Sequence, residues 1–292
     1  MPDTLGFWTL QRDWKTIMDA ATHSALVTGG GTGIGLASAD KFATQGAAVG
    51  LLGRTERKLI AGRDAILRNQ PNANISLFVG DTADEETVAS ALSQMNRLAP
   101  LKKVLANAGV GGLSPIAAQD ADQYDEIMRI NAKGTLLVFK HAARIMSANG
   151  GGALCAISSI AGLRTHPHMA AYCMSKAAID MLVRNCADEL GASAIRVNSV
   201  CPGLVETEIA SGLLGTESVY EDYLKKMPIA RHGLVNDIAE AVAYLCSDAA
   251  SWVTGVSLPV DGGHHLRQGP DVSPFAKMLF GDNAETPSSF LD

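Results

Sequence analysis

The sequence predicts an α/β fold, a single doubly wound parallel sheet with helices on both faces. Three observations carry this. Short apolar runs of strand length alternate with longer stretches of helical period. The runs are apolar throughout, as strands buried on both faces are. A glycine cluster, Gly29-Gly30-Gly31-Thr32-Gly33-Ile34-Gly35, stands where the first run passes into the first helical stretch. A β-α-β rhythm of this kind needs crossover helices and so a parallel sheet.

The elements follow in order. Ala25-Leu26-Val27 reads as the first strand and 34–45 as the helix after it. Residues 48–52 read as a second buried strand, followed by a polar helix over 56–69. Residues 75–79 form the third strand, and 84–98 the third helix, whose start carries Asp84, Glu85 and Glu86 where a helix dipole favours acids. Residues 104–106 read as a fourth strand, with later strands over 153–157, 195–200 and 257–260. Helices are expected over 123–147, 170–190 and 235–247. The core is expected to run unbroken over 24–263, flanked by an N-terminal arm (1–23) and a C-terminal arm (264–292). The C-terminal arm is rich in Gly, Pro and Ser and reads as loosely packed. Trp8 and Trp14 would dock the N-terminal arm on the core.

Composition bounds the function. Hydrophobic residues make up 47% and charged residues 18%, a globular mix that excludes disorder as the main state. Twenty-four basic against 30 acidic residues give a net charge of −6, which argues against nucleic acid or an anionic membrane as the main partner. No apolar run reaches the ~18 residues of a membrane span. Neither a secretory signal nor a C-terminal address is legible. The five cysteines, Cys155, Cys173, Cys186, Cys201 and Cys246, are widely spaced and odd in number. They read as free buried thiols of a reducing cytoplasm, not as a zinc site or a disulfide framework.

The glycine turn carries the first functional signal. A strand that ends in glycines and opens a helix brings backbone N–H groups to a pyrophosphate at the positive end of the helix. The spacing here is TGxxxGxG, and a tight turn alone would also ask for glycine. The second strand ends at Gly53-Arg54, about 20 residues on, where a dinucleotide fold reads the adenosine ribose. No Asp or Glu occurs between Ala47 and Thr55 to bind ribose hydroxyls. Arg54 would instead pair with a 2′-phosphate in a forked geometry; the other reading is an ordinary solvated arginine.

Tyr172 and Lys176 lie four apart in a helical stretch, so phenol and ammonium share a face. A nearby cation favours the phenolate, which makes the pair a candidate acid and base for a ketone oxygen. The spacing alone also fits a surface pair on an amphipathic helix.

Over 24–263 the chain resembles the short-chain dehydrogenase/reductase family, whose pieces occur here in order. They are the TGxxxGxG turn, Asp81 after the third strand, Asn107-Ala108-Gly109 after the fourth, Asn131, Ser158-Ser159, Tyr172 with Lys176, and Pro202-Gly203. The resemblance implies a Rossmann-type domain and the catalytic set Asn131, Ser159, Tyr172 and Lys176. Ser159 is preferred over Ser158 because it lies 13 residues before Tyr172, the family's usual gap. Ser159 would hold the substrate oxygen, and Tyr172 would give or take its proton. Lys176 would bind the nicotinamide ribose and lower the tyrosine pKa, and Asn131 would hold a water leading to solvent.

For the cofactor, the resemblance implies Thr28, Gly29, Gly31, Thr32, Gly33, Ile34 and Gly35 at the turn, Arg54 at the ribose, and Asp81 with Thr82 at the adenine. Asn107, Ala108 and Gly109 would form the floor, joined by Tyr172 and Lys176, and Pro202, Gly203, Val205 and Thr207 would lie at the carboxamide. Two departures stand out: Ala106 replaces the first Asn of NNAG, and Thr32 is not the basic residue some NADP-preferring members carry. NADP(H) is the expected preference, with NAD(H) left open. The family also implies a homotetramer, in which the helices expected over 123–147 and 170–190 pair across a two-fold axis.

The substrate loop over 204–228 is apolar, with five acids (Glu206, Glu208, Glu217, Glu221, Asp222) against two lysines (Lys225, Lys226). It suits an uncharged ketone or secondary alcohol of moderate size. The gap between Tyr172 and Lys176 is shorter than the family's enoyl reductases use. His166-Pro167-His168, near the substrate entrance, reads as a solvated loop or a substrate contact. His264-His265 lacks a third ligand at metal-like spacing, so no metal is expected. The alternatives are a 3-oxoacyl-thioester reductase and, from another class, a dinucleotide-binding sensor without turnover.

Overall fold

The computed structural model describes residues 21–267 and 272–285. The expected docking of Trp8 and Trp14 lies outside them. Seven strands form the sheet: β1 (His23–Thr28), β2 (Ala47–Gly53), β3 (Ile75–Val79), β4 (Leu101–Ala106), β5 (Gly152–Ile157), β6 (Ile195–Pro202) and β7 (Ser257–Val260). Their order is β3-β2-β1-β4-β5-β6-β7, and every pair is parallel. The chain winds outward from β1 to β3, then crosses to β4 and winds the other way. The carboxyl ends of β1 and β4 therefore diverge and open a crevice at the switch point.

Helices α1 (Gly33–Thr44), α2 (Glu56–Asn69) and α3 (Glu85–Leu98) fill the first three crossovers. They are followed by α4 (Ala121–Met128), α5 (Gly134–Ala148), the short α6 (Ile160–Leu163) and α7 (Ala170–Leu190). Next come α8 (Ser211–Gly215), α9 (Glu217–Lys226), α10 (Val235–Leu245) and α11 (Ser273–Phe280). One sheet face is covered by α3, α5 and α7, through Leu92, Met95, Phe139, Met146, Ile179 and Val183. The other is covered by α1, α2 and α10, through Phe42, Leu59, Ile66, Ile238 and Val242. Burying side chains of this size contributes roughly 1.5–3 kcal/mol each. The doubly wound fold read from the sequence is the fold observed. Asp84 is the N-cap of α3, its carboxylate accepting the Thr87 N–H at 2.7 Å.

Several expectations differ from the structure. Strand β1 begins at His23, inside the stretch assigned to the N-terminal arm. The single helix expected over 123–147 is α4 and α5 joined by a π-turn, Arg129–Lys133. A cause is local: the Thr135 hydroxyl takes the Asn131 carbonyl at 2.7 Å, and the Asn131 side chain bonds across to Val110. The substrate loop contains two helices, α8 and α9, because Val219, Tyr223 and Met227 share an apolar face that closes on Leu204 and Ala210. The C-terminal stretch is not uniformly loose: α11 buries Ala276, and Phe275 packs on that lid cluster. Of the five thiols, Cys173 and Cys186 are half-buried and the other three buried. No helix among the described residues is long and apolar enough to cross a membrane.

Candidate active site

The glycine turn closes through contacts that leave no room for a side chain. Gly29 has φ +63°, and a Cβ there would lie 2.7 Å from Asn107 Nδ2. A Cβ on Gly35 would lie 2.3 Å from the Gly29 carbonyl oxygen. The turn is pinned from β4: Thr28 Oγ1 accepts the N–H groups of Asn107 (2.9 Å) and Ala108 (3.0 Å), and Asn107 Nδ2 donates to the Thr28 carbonyl at 2.9 Å. Thr28 is thereby committed to the turn's own architecture. Thr32 is the N-cap of α1, yet its side chain makes no capping bond, and the first turn holds no acid. The N–H groups at the start of α1, near Gly33, Ile34 and Gly35, are therefore left to an external acceptor. A glycine cradle with uncapped donors fits the pyrophosphate of a dinucleotide.

At the adenosine end Arg54 is open, its side chain 59% exposed, with Glu126 at 4.0 Å. Asp81 is more engaged than its sequence position suggests. Its Oδ1 accepts the Ala83 N–H at 2.9 Å and its Oδ2 pairs with Arg129 at 2.9 Å. Burial pushes the carboxyl up, but the bonds from Ala83 and Arg129 outweigh this and hold it below its ordinary value. Arg129 also pairs with Glu126 at 2.6 Å. Nothing in the sequence marked Arg129 and Glu126 as closing this end; their i,i+3 spacing reads as a solvated helix pair. Thr82 is buried behind Asp81, near Gly134.

On the other wall of the crevice, Gly203 packs on Asp261 at the end of β6, and Val205 pairs with Gly233 in an isolated bridge. The chain then passes over the glycine turn. Thr207 Cγ2 lies 3.6 Å from where a Gly33 Cβ would be, and Glu208 pairs with Lys58 of α2 at 2.5 Å. Pro202 and Val205 are buried, so only the stretch beyond them can present side chains to the crevice.

The four candidate catalytic residues converge at the carboxyl ends of β4, β5 and β6. Lys176, 5% exposed, donates to the Ile157 carbonyl at 2.9 Å, and its ammonium lies 5.6 Å from the centre of the Tyr172 ring. Burial lowers its pKa to about 8, against the upward pull of Asp180. A Cβ on Gly109 would crowd Asn131 Oδ1 at 3.1 Å. Ser159 caps α6, accepting the Ala161 N–H at 3.1 Å, and its hydroxyl bonds to Tyr172. Ser158 turns away and donates to the Lys176 carbonyl at 3.2 Å. Burial pushes the Tyr172 phenol above its ordinary value, and the Ser159 bond offsets part of this. The phenol therefore holds its proton at neutral pH in the cofactor-free protein.

Asn131 is fully buried in the π-turn. Its Nδ2 donates to the Val110 carbonyl and to Ser175 Oγ, both at 2.9 Å, and its Oδ1 accepts the Val110 N–H at 2.8 Å. It clamps the loop after β4 to α7, with both amide hydrogens in use. Tyr223 of α9 is buried under the lid and meets His264 edge-on at 5.4 Å. A cavity of about 510 Å³ opens at the start of α7, walled by Ile116, Pro115, His166, His168, Cys173 and others. His166 is kept toward its neutral form by burial. His168 holds a positive φ of 63° while its carbonyl accepts the Ser114 N–H at 2.7 Å. A second hollow of about 560 Å³ lies over α4 and the π-turn, lined by Asp122, Asp125 and Lys133, and none of the four candidate catalytic residues lines either hollow. No group of three His, Cys, Asp or Glu among the described residues could hold a metal.

A family model described as enoyl-(acyl carrier protein) reductase matches residues 29–265. A short-chain type dehydrogenase/reductase from Mycobacterium ulcerans superposes with a TM-score of 0.87 at 38% identity, covering 90% of this chain and 96% of that one. The chain belongs to the short-chain dehydrogenase/reductase family. It is accordingly an NAD(P)-dependent oxidoreductase. The 2-(S)-hydroxypropyl-CoM dehydrogenase 3 of Xanthobacter autotrophicus is 38% identical over 242 residues, 81% of this chain and 94% of that protein. Levodione reductase of Leifsonia aquatica is 31% identical, over 82% of this chain and 92% of that protein.

Proposed function

We propose that this family member reduces the ketone of a moderately apolar small molecule to a secondary alcohol, or runs the reverse reaction, with Tyr172 as the acid or base. The observation that carries this is the convergence of Ser159, Tyr172 and Lys176 beside a glycine cradle with uncapped helix donors. The bound nicotinamide supplies or accepts the hydride. Ser159 accepts the Ala161 N–H and stands beside Tyr172, where its hydroxyl would hold the substrate oxygen. Tyr172, protonated at neutral pH, hands its proton to that oxygen in reduction. Lys176 keeps a positive charge beside the phenolate left behind and would reach the ribose hydroxyls. Asn131 fixes Ser175, one residue before Lys176, and would leave its remaining lone pair to a water.

The cavity beside α7 supports an uncharged substrate, since Ile116, Pro115 and Cys173 line it with little charge. The relatives named for hydroxypropyl-CoM and levodione handle a secondary alcohol and a ketone, which supports the same class here. A carrier-bound 3-oxoacyl thioester is less well supported. It calls for a basic patch, whereas the lid lysines Lys226 and Lys225 pair with Asp222 (2.6 Å) and Glu221 (3.9 Å) on their own helix. The presence of all four catalytic side chains speaks against a sensor without turnover.

NADP(H) is the cofactor this reading prefers. Arg54 is exposed, and its Glu126 contact is long and solvated, so it costs little to exchange for a 2′-phosphate. A homotetramer is part of the same reading: Leu136 of α5 and Met174 and Met181 of α7 are about half exposed, apolar groups on the two long helices.

Three outcomes follow from these assignments. Tyr172→Phe lowers kcat about 10²–10⁴-fold on any ketone the protein turns over, with cofactor binding kept; near-native turnover by this variant contradicts the role. Arg54→Asp weakens NADPH relative to NADH roughly 10- to 100-fold, the loss of one charged hydrogen bond, read from dissociation constants by nicotinamide fluorescence. A wild type that binds NADH more tightly, or an unchanged ratio in the variant, makes Arg54 a surface residue. Sedimentation of the active protein gives the mass of four chains; a fully active species with the mass of one chain removes the helix-pairing argument.

A further inference from the structure

Helix α7 carries a third ionisable side chain on the stripe that holds Tyr172 and Lys176. Asp180 follows Lys176 by four residues, so the three stand one above another on the helix. Asp180 is 2% exposed. Its Oδ1 accepts the hydroxyls of Ser199 on β6 at 2.9 Å and Ser257 on β7 at 3.0 Å, with the Cys201 thiol at 3.8 Å. Its Oδ2 has no hydrogen-bond partner. That oxygen is aimed at Gly162, where a Cβ would come within 2.6 Å of it and 3.0 Å of the Lys176 carbonyl oxygen. Gly162 belongs to α6, the turn that Ser159 caps. One carboxylate thus touches two strands, the turn of the serine and the helix of the lysine.

Two neutral hydroxyls on one oxygen are a thin replacement for water around a buried carboxylate. Lys176, one turn away, is in the matching position, an ammonium out of water that donates to one backbone carbonyl. The other titratable groups facing the stripe add no charge near neutrality. Cys201 from β6 is pushed up to about 12, the Tyr223 phenol from α9 and Cys173 on α7 are also raised by burial, and His166 is held toward neutral. Arg184, a turn further along α7, donates to the Asp180 backbone carbonyl and not to the carboxylate. Asp180 and Lys176 are therefore each other's nearest buried counter-charge on this stripe.

We propose that Asp180 is a positioning residue for the reaction, whose negative charge keeps Lys176 an ammonium and whose contacts hold the Ser159 turn against α7. This rests on the roles given above to Tyr172 and Lys176. The sign follows from the two opposing effects on Lys176: burial favours the neutral amine and Asp180 favours the charged one. Removing the carboxylate makes the amine lose its proton at a lower pH. Both reaction directions need the ammonium, so activity fails earlier on the alkaline side.

Asp180→Asn keeps an acceptor oxygen for the two serine hydroxyls and removes the charge. With a ketone that the wild type turns over, the alkaline limb of kcat/KM is expected to move down by about one pH unit, measured beside the melting temperature. A folded Asp180→Asn protein whose alkaline limb stays in place, whatever its melting temperature, overturns the proposal, because a merely structural aspartate would change stability alone. If that variant does not fold, Asp180→Ser, smaller and uncharged, takes the same test. An unmoved limb together with an inactive Tyr172→Phe variant removes only Asp180's role; an active Tyr172→Phe variant removes the reading beneath it.

Discussion

An ammonium group taken out of water costs about several kcal/mol unless its surroundings replace the lost hydration, and Lys176 imposes that demand on everything around it. The Ile157 carbonyl at the end of β5 accepts from it, and Asp180 offsets its charge from one turn along α7. Even with this help the amine stays below its ordinary pKa, at about 8. Its charge therefore depends on the groups packed around it. Tyr172, on the same helix face, is pushed the other way by the same burial.

The sheet makes this arrangement affordable in backbone terms. Parallel strands end together, so the carbonyls and loops after β4, β5 and β6 meet at one edge, where α7 crosses them. The π-turn at Asn131 lets one side chain reach both the Val110 backbone and Ser175, tying the loop after β4 to the lysine helix. Across the crevice the glycine turn is pinned by Thr28 and Asn107, so that wall is held directly by the ends of β1 and β4.

Much of this was legible in the sequence, and the limits have physical causes. Periodicity located every strand and the long helices, because burial on both sheet faces writes continuous apolar runs. It could not see the break at residues 129–133, since a π-turn inserts one residue without changing the apolar stripe on either side. The lid read as a loop because its helical faces close on each other and on Phe275 from α11, a contact no local pattern announces. Ser159 and Ser158 were separable only by spacing, and the structure turns them to different partners. Arg129 and Glu126 look like an ordinary surface pair until the fold brings them beside Asp81. Asp180 read as one more polar residue of an amphipathic helix for the same reason.

On the function proposed above, the Lys176 charge lowers the pKa of the Tyr172 phenol. The direct measurement is the tyrosinate absorbance titration of Tyr172 in the NADP⁺-bound protein, isolated by subtracting the Tyr172→Phe spectrum, in wild type and in Lys176→Met. The phenol should ionise at lower pH in the wild type, by about one unit or more, because an adjacent cation favours the phenolate. Equal midpoints in the two proteins would contradict it.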